Sequence, residues 1–263
     1  MGILNVTPDS FFDGGRYKDL EAAYAQAGQM LEHGATFIDV GGMSSRPGAE
    51  LISIDEELER VIPVIEGLVQ RFPEILISVD TIRAAVAREA VAAGAALVND
   101  ISAGRFDPDL YATVGALGVP YILMHMQGEP GTMQQQPHYD DVLQEVLDFF
   151  IAEVDRLREQ GVKDILLDPG FGFGKTVAHN YQLLGRMHLF QILDLPILAG
   201  LSRKSMICKV LKVAPKDALN GTTALHMIAL EQGAKILRVH DVQEAMQTVK
   251  LFKTLTESIK QLD

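Results

Sequence analysis

Several short apolar runs in this sequence end in side chains that can do chemistry. These side chains are carboxylic acids, amides, hydroxyls and bases: Asn5, Asp39, Asp80, Asn99, Asp100, His125, Asp168, Ser202 and Arg238. Any one of them would suit a solvated surface equally well. If the ends of the runs meet at one place, however, the side chains together form a polar surface that can bind a ligand, move protons and stabilise charge.

Three loops that follow apolar runs are rich in glycine and proline. They occupy residues 5–15, 41–48 and 168–175, and the last of them reads Asp-Pro-Gly-Phe-Gly-Phe-Gly-Lys. Such a composition suits tightly turned or mobile backbone close to a ligand. None of the loops matches a P-loop, and the glycine spacing in 168–175 differs from that of a dinucleotide-binding fingerprint. A nucleotide cofactor is therefore not indicated.

The apolar runs alternate with amphipathic segments, which is the pattern of repeated βα units. The predicted strands are 2–6, 37–41, 76–80, 97–101, 121–125, 165–168, 197–200 and 236–240, and the predicted helices include 20–32, 54–71, 83–93, 140–160 and 242–259. Continuous apolar strands joined by helices indicate a parallel sheet that is covered on its outside. We expect one domain over residues 1–263, a single (β/α)8 TIM barrel with mobile loops at the carboxyl-terminal face of its strands. The polar residues at the strand ends would then share one rim, where TIM barrels carry their active sites.

Composition excludes several classes of protein. The formal net charge of -12 disfavours nucleic acid and acidic membranes as partners, so an anionic substrate would need a local cluster of cations. The single cysteine, Cys208, excludes an intramolecular disulfide and a cysteine-held zinc, which favours a reducing compartment and hence the cytoplasm. Residues 1–12 resemble no export signal, and no run of roughly 18 apolar residues predicts a membrane span.

Five segments resemble the successive motifs of the dihydropteroate synthase family, in the right order and spacing. They are the loops 5–15, 41–48 and 168–175, the Ser-Arg-Lys-Ser at 202–205, and the Arg-Val-His at 238–240. The resemblance covers essentially the whole chain, and it implies a TIM-barrel transferase of folate biosynthesis. Its reaction would join p-aminobenzoate to 6-hydroxymethyl-7,8-dihydropterin pyrophosphate, giving 7,8-dihydropteroate and pyrophosphate.

The resemblance implies a pterin pocket formed by Asp80, Asn99, Asp168 and Lys204, with the guanidinium of Arg238 against the ring face. This assignment is chemically sensible, because carboxylate and amide oxygens accept hydrogen bonds from the amino-pyrimidinone edge of a pterin. A guanidinium also stacks well on a flat ring.

The resemblance also implies a pyrophosphate end formed by Arg46, Arg238 and His240, with a hydroxyl from Ser45. Asn5 resembles the family residue that meets the pyrophosphate and its bound Mg2+, for which an oxygen ligand is suitable. Catalysis would stabilise the departing pyrophosphate, and Asn5, Arg46, Lys204, Arg238 and His240 would be the catalytic residues.

The second substrate needs an apolar slot and a site for its carboxylate. Phe11, Pro47 and Phe173 are candidates for the walls of the slot, and Ser205, which opens a predicted helix, is the candidate for the carboxylate. Packing under a loop would explain Phe11 and Phe173 equally well. Sulfonamides are expected competitors of p-aminobenzoate, and the family suggests a homodimer built from outer helices, including residues 206–213.

The sequence departs from the family pattern at Met43, where the family commonly has Glu, and at Phe12 and Ser45. Two alternatives stay open. A methyltransferase that uses methyl-tetrahydrofolate and a corrinoid protein would share the barrel and the pterin residues, but would not need the long first loop, 202–205 or the Arg-Val-His. A pterin-binding paralogue without turnover would keep the pocket, but the presence of Asn5, Arg46, Lys204, Arg238 and His240 argues against it.

Overall fold

The computed structural model of this chain describes residues 1–6, 16–43, 51–128, 131, 133 and 136–260. Its centre is a sheet of eight strands that are hydrogen-bonded in sequence order, and every pair is parallel. The strands are β1 (Gly2–Asn5), β2 (Phe37–Gly41), β3 (Leu76–Asp80), β4 (Leu97–Asp100), β5 (Tyr121–Met124), β6 (Ile165–Asp168), β7 (Ile197–Ala199) and β8 (Ala234–Leu237).

The sheet closes on itself beside β1. Val239, just past β8, forms a parallel bridge with Gly2. The amide of Ile3 donates to the carbonyl of Val239 at 2.9 Å, and the amide of Val239 donates to the carbonyl of Met1 at 2.9 Å. This seam completes an eight-stranded parallel barrel, so the predicted TIM-barrel fold is confirmed.

The described part of the chain contains nine α-helices, most of which connect successive strands. They are α1 (Arg16–Glu32), α2 (Ile54–Arg71), α3 (Ala84–Ala92), α4 (Leu110–Leu117), α5 (Val142–Glu159), α6 (Val177–Arg186), α7 (Ser205–Leu211), α8 (Leu219–Glu231) and α9 (Val242–Lys260). Short 3-10 helices occupy Met187–Leu193 and Pro215–Asp217. None of the described helices combines the length and the apolar character that a membrane crossing requires.

Local chemistry explains where two of the long helices begin. At α2 the hydroxyl of Ser53 accepts from the amide of Glu56 at 3.1 Å, and three acidic residues occupy the first turn. At α5 the carboxylate of Asp141 accepts from the amides of Leu143 and Gln144. Side-chain acceptors of this kind satisfy helix amides that have no partner within the helix, and acidic groups interact favourably with the amino end of the helix dipole.

The barrel interior changes character along its axis. At the amino ends of the strands it is filled by the apolar side chains of Met1, Leu97, Ile122 and Leu198. At the carboxyl ends the inward positions carry polar groups, among them Asp39, Asp80 and Asn99. TIM barrels are normally filled by bulky apolar side chains, so the polar end is the part of the interior that packing alone does not explain.

The predicted bounds of β8 were wrong by two residues at the start and by three at the end. The strand begins at Ala234 and ends at Leu237, whereas the sequence predicted 236–240. Ala234 and Lys235 carry little apolar signal, which hides the start of the strand. Beyond Leu237 the backbone still bonds to both neighbours, because the Arg238 amide donates to Ala199 and the Val239 amide donates to Met1. Arg238 therefore lies at the end of the last strand, where the backbone is hydrogen-bonded to β7 on one side and, at the next residue, to Met1 before β1 on the other.

Candidate active site

Arg238 lies between two carboxylates on adjacent strands. Its Nε donates to Oδ2 of Asp39 at 2.6 Å, and its Nη2 donates to Oδ2 of Asp80 at 2.8 Å. Asn99 joins the same group, because its Nδ2 donates to Oδ2 of Asp39 at 3.0 Å. Side chains from β2, β3, β4 and the end of β8 thus form one hydrogen-bonded cluster inside the barrel.

Asp168 and Lys204 face this cluster from β6 and from the start of α7. Oδ1 of Asp168 accepts from the amide of Gly170 at 2.8 Å, which fixes the carboxylate at the end of its strand. Gly200 connects the two halves of the site: a Cβ placed on it would lie 3.6 Å from Asp168 Oδ2 and 3.9 Å from both Lys204 Nζ and Arg238 Cβ. The missing side chain leaves space between the Asp168 carboxylate, the Lys204 ammonium and the Cβ of Arg238.

A cluster of apolar side chains borders the polar groups. Phe173 is buried in it, together with Ile82, Ile101, Met124, Met126 and Met133, and Met43 packs against it. Lys204 Nζ lies 4.7 Å from the centre of the Phe173 ring and also donates to the carbonyl of Phe171. Lys204 therefore contacts both the apolar wall and the loop that follows β6.

Lys175 holds the loop after β6 in place through hydrogen bonds to its backbone. This lysine is buried, and its Nζ donates to the carbonyls of Gly170 at 3.0 Å and Phe173 at 3.1 Å. It also lies 2.9 Å from Nδ1 of His125, whose pKa is held well below its usual value by burial and by the Lys175 charge. A neutral imidazole nitrogen can accept a hydrogen bond from the lysine, so the two side chains are compatible neighbours.

Three groups of the site have pKa values shifted by burial. Burial raises the pKa of Asp80 to about 7, although the neighbouring Arg238 guanidinium lowers it. Burial also raises the pKa of Asp168 and lowers the pKa of Lys204 to about 8, and the attraction between these two groups opposes both shifts. The pKa of Arg238 is raised, because Asp39 and Asp80 outweigh the opposite effect of burial. Ionisable groups shifted towards neutral pH at one end of a barrel are typical of a functional site.

Comparison with known proteins gives the family. Residues 1–240 match the family described as "Pterin binding enzyme". The chain is 50% identical to dihydropteroate synthase of Escherichia coli (strain K12) over 253 residues, covering 95% of this chain and 89% of that protein. It is 48% identical to dihydropteroate synthase of Synechocystis sp. over 258 residues, covering 97% of this chain and 89% of that protein.

This chain belongs to the dihydropteroate synthase family. Solved structures of the family superpose closely on the barrel. The sulfonamide complex of Yersinia pestis dihydropteroate synthase matches with a TM-score of 0.92 at 47% identity, covering 97% of this chain and 93% of that one. The Xanthomonas albilineans enzyme with 4-aminobenzoic acid matches with a TM-score of 0.91 at 43% identity, covering 97% and 92%. The same enzyme with 7,8-dihydropteroate matches with a TM-score of 0.86 at 41% identity, covering 97% and 92%.

The structure brings together the five residues that the dihydropteroate synthase motifs assign to the pterin: Asp80, Asn99, Asp168, Lys204 and Arg238. Their individual roles remain predictions. His240 lies at the same rim, with Nδ1 3.0 Å from the hydroxyl of Ser202. Its pKa is lowered by desolvation among its neighbours and by the Arg238 charge, although the residue as a whole is exposed. In the free protein His240 is therefore a neutral hydrogen-bonding group.

Asn5 and Ser205 occupy the two flanks of the rim. Asn5 ends β1 and is paired in register with Gly41, which in turn is paired with Asp80. Ser205 begins α7 and is exposed. Four further residues that the dihydropteroate synthase motifs assign to the substrates lie outside the described residues: Phe11, Ser45, Arg46 and Pro47.

Sequence reasoning missed three features of the site. Asp39 was noted only as a strand end, although it connects Arg238 to Asn99. Lys175 was noted only as the last residue of the loop 168–175, and its burial became visible only in the folded chain. Met43 was treated as a departure from the dihydropteroate synthase pattern, and the structure packs it against the apolar cluster around Phe173.

Proposed function

We propose that this barrel end binds a dihydropterin pyrophosphate between the cluster around Arg238 and the Asp168–Lys204 pair, and joins it to p-aminobenzoate there. The reaction is that of dihydropteroate synthase: the amine nitrogen of p-aminobenzoate forms a bond to the pterin methylene carbon, the bond from that carbon to the pyrophosphate oxygen breaks, and the amine loses a proton. The products are 7,8-dihydropteroate and pyrophosphate.

The observation that carries this proposal is the space left by Gly200. A Cβ there would stand within 4 Å of Asp168, Lys204 and Arg238, so the backbone leaves open the position that these three side chains surround. A flat ring placed there meets carboxylate acceptors and an ammonium donor at its edge. The guanidinium of Arg238, held by Asp39 and Asp80, supplies a planar cation for stacking.

The ring needs acceptors that are already in place. Asp80, Asn99 and Asp168 supply carboxylate and amide oxygens at the ends of three strands, and the bonds from Arg238 and from the Gly170 amide hold both carboxylates in position. A pre-organised acceptor costs little reorganisation when the ligand binds. Ile101, Met124 and Phe173 would cover the apolar parts of the substrates.

The pyrophosphate would lie towards the rim beyond Arg238. Arg238 and His240 would supply donors there, and Arg46, which lies outside the described residues, is predicted to add another. Charge-assisted hydrogen bonds to the leaving oxygens become stronger as negative charge develops. Because the free His240 is neutral, with Ser202 next to its Nδ1, its expected contribution is a hydrogen bond from Nε2.

Mg2+ is the expected cofactor at this end. In the described part of the chain no group of three or more His, Cys, Asp or Glu side chains is arranged to hold a metal ion. The Asn5 amide oxygen nevertheless fits a hard cation that keeps most of its waters and binds through substrate phosphates. When bound, the ion would neutralise charge on the departing pyrophosphate.

p-Aminobenzoate would be held between Phe173 and the two loops that contain Phe11, Ser45 and Pro47, with its carboxylate near Ser205. Phe173 is well placed for this role, because it lies beside Lys204 at the edge of the pterin space. Sulfonamides resemble p-aminobenzoate in shape, and they are the expected competitors at this position.

We further propose a cytoplasmic homodimer. The single cysteine suits a reducing compartment. The outer helices α7, α8 and α9 carry exposed apolar side chains: Val210, Leu211, Ile228, Leu251, Leu255 and Ile259. Apolar patches of this kind on packed neighbouring helices are typical of subunit interfaces. Met206, which was included in the predicted interface, is buried within the fold.

The deciding experiment is incubation with 6-hydroxymethyl-7,8-dihydropterin pyrophosphate, p-aminobenzoate and Mg2+, with separate detection of dihydropteroate and pyrophosphate. Both products should appear in equal amounts. The variant Lys204→Met should abolish them, whereas Lys209→Met, an exposed lysine on the same helix, should not. Pterin binding without either product would favour the non-catalytic paralogue, and methyl transfer to a corrinoid protein would favour the methyltransferase.

A further inference from the structure

Asp39 is a buried carboxylate that contacts two residues of the proposed pterin pocket through a single oxygen. Its Oδ2 accepts from Nε of Arg238 at 2.6 Å and from Nδ2 of Asn99 at 3.0 Å. Its Oδ1 has no hydrogen-bond partner within the described part of the chain. The residue is 0% exposed, so it has no surface with which to contact a substrate.

We infer that Asp39 is a positioning residue for pterin binding, which sets the plane of the Arg238 guanidinium and the orientation of the Asn99 amide. The inference rests on the proposed function, because it concerns residues assigned to the pterin. It assigns to Asp39 no contact with the substrate and no part in the bond-forming step.

The geometry of Arg238 supports the inference that Asp39 sets the plane of the guanidinium. A guanidinium is flat and rigid, so two bonds from different nitrogens to fixed acceptors determine its plane. Asp39 on β2 and Asp80 on β3 are such acceptors. Asp80 keeps 12% of its side chain exposed and can therefore also contact a ligand, whereas Asp39 is fully enclosed. When a pterin competes for Asp80, the bond to Asp39 is the one that still holds the guanidinium.

The chemistry of the Asn99 side chain supports the inference that Asp39 sets the orientation of its amide. Asn99 donates to Oδ2 of Asp39 through its Nδ2 at 3.0 Å, so its NH2 group faces Asp39. The amide oxygen of Asn99 then points away from Asp39 and is available as an acceptor for a donor on the ligand. Without Asp39, either end of the amide could face the ligand space, and half of the orientations would offer a donor where an acceptor is needed.

Asp39 is also poorly suited to a purely structural role. A buried oxygen without a partner destabilises the fold, and an ion pair buried in a barrel is weak support for stability compared with packed apolar groups. Polar groups kept under such conditions are expected where function requires them.

The test compares Asp39→Asn with two controls in the full-length protein. Asp39→Asn should raise the dissociation constant for 6-hydroxymethylpterin and the KM for the dihydropterin pyrophosphate by at least about tenfold, while the KM for p-aminobenzoate changes by less than about twofold. Ser78→Ala changes the adjacent interior position and should leave pterin binding intact. Glu57→Gln breaks another buried carboxylate–arginine pair, formed with Arg83, and should lower thermal stability without the selective loss of pterin affinity.

A double-mutant cycle with Arg238→Lys separates positioning from general destabilisation. Lysine lacks the Nε donor, so Asp39→Asn should cost several-fold less affinity in the Arg238→Lys background than in the wild type. Equal costs in the two backgrounds, or wild-type pterin binding by Asp39→Asn, would overturn the inference.

If Asp39→Asn does not fold, Asp39→Ser is measured instead, and failure of both to fold would show that Asp39 is structural. A wild-type protein that neither binds pterin nor turns over would instead contradict the proposed function.

Discussion

A methyl group placed on Gly200 would lie 3.6 Å from Oδ2 of Asp168. That separation is ordinary van der Waals contact, so an alanine would fit the fold. The same methyl group would stand 3.9 Å from Lys204 Nζ and from Arg238 Cβ, in the position that we assign to the pterin ring. An alanine at position 200 is therefore compatible with the fold, but its methyl group would take space that we assign to the pterin ring.

We therefore expect Gly200→Ala to fold normally and to lose pterin affinity by at least about tenfold, because the methyl group occupies ligand space without a clash in the free protein. Calorimetric titration with 6-hydroxymethylpterin and thermal unfolding measure the two properties separately. Gly185→Ala is the matched control, because Gly185 lies on α6 with nothing within 4 Å of its Cβ position. Unchanged pterin binding by Gly200→Ala would mean that the ring lies elsewhere.

Replacing the carboxylates of Asp80 or Asp168 should weaken pterin binding more than Gly200→Ala does. Asp80→Ala and Asp168→Ala should each weaken pterin binding by at least about a hundredfold, since each removes an acceptor and takes one partner from a neighbouring cation. Circular dichroism should show that both variants keep the fold. Asp155→Ala, on the exposed face of α5, is the control and should bind like the wild type. A variant that unfolds would support a structural role for that carboxylate.

The pyrophosphate end can be tested through His240. His240→Ala should lower kcat/KM for the dihydropterin pyrophosphate by about tenfold and weaken inhibition by free pyrophosphate, because one donor to the leaving group is lost. Ser202→Ala, which removes the hydroxyl next to Nδ1, should have a smaller effect of the same kind. Affinity for a pterin without phosphate should not change in either variant. A parallel loss of that affinity would place His240 at the ring.

The stability of the barrel should fall between pH 6.5 and pH 4 because of His226. This histidine is 2% exposed on α8, and burial lowers its pKa from 6.5 to about 4. In that range the unfolded chain binds a proton that the folded chain does not, so stability is fully present above pH 6.5 and is lost as the pH falls towards 4. The shift corresponds to roughly 3 kcal/mol.

Urea unfolding at several pH values measures this effect. His226→Gln should flatten the dependence of unfolding free energy on pH between 4 and 6.5, whereas His138→Gln, with a side chain 84% exposed, should leave it unchanged. An equally steep dependence in His226→Gln would assign the effect to other buried groups, of which His125 is the first candidate.

Much of the fold could be predicted because parallel strands that are covered on both faces read as continuous apolar runs. The strands 37–41, 76–80 and 165–168 and the helix 54–71 have the predicted bounds. The eighth strand did not, because Ala234 and Lys235 resemble the end of a loop more than the start of a strand. What fixes that strand is its pairing with β7 and β1, and sequence periodicity does not report on pairing.

The candidate site could be predicted only in part, for a related reason. Asp80, Asn99 and Asp168 were placed at one rim because the carboxyl ends of parallel strands must meet there. Asp39 has the same sequence context, yet only the folded barrel shows that it is enclosed and shared by two other side chains. The burial of Lys175 against His125 depends in the same way on a loop approaching a different strand.

The seam between Gly2 and Val239 bears on how the protein is made. It joins the first strand to the residues just after the last, so the barrel can close only after residue 239 has left the ribosome. Contacts between such distant parts of a chain form slowly, because a long loop must close before they repay its entropy. Asn5 stands beside this seam on one side and Arg238 on the other. A nascent chain that ends before residue 234 would already carry Asp80, Asn99 and Asp168, but the groups that we assign to the leaving phosphate would come together only with the last step of folding.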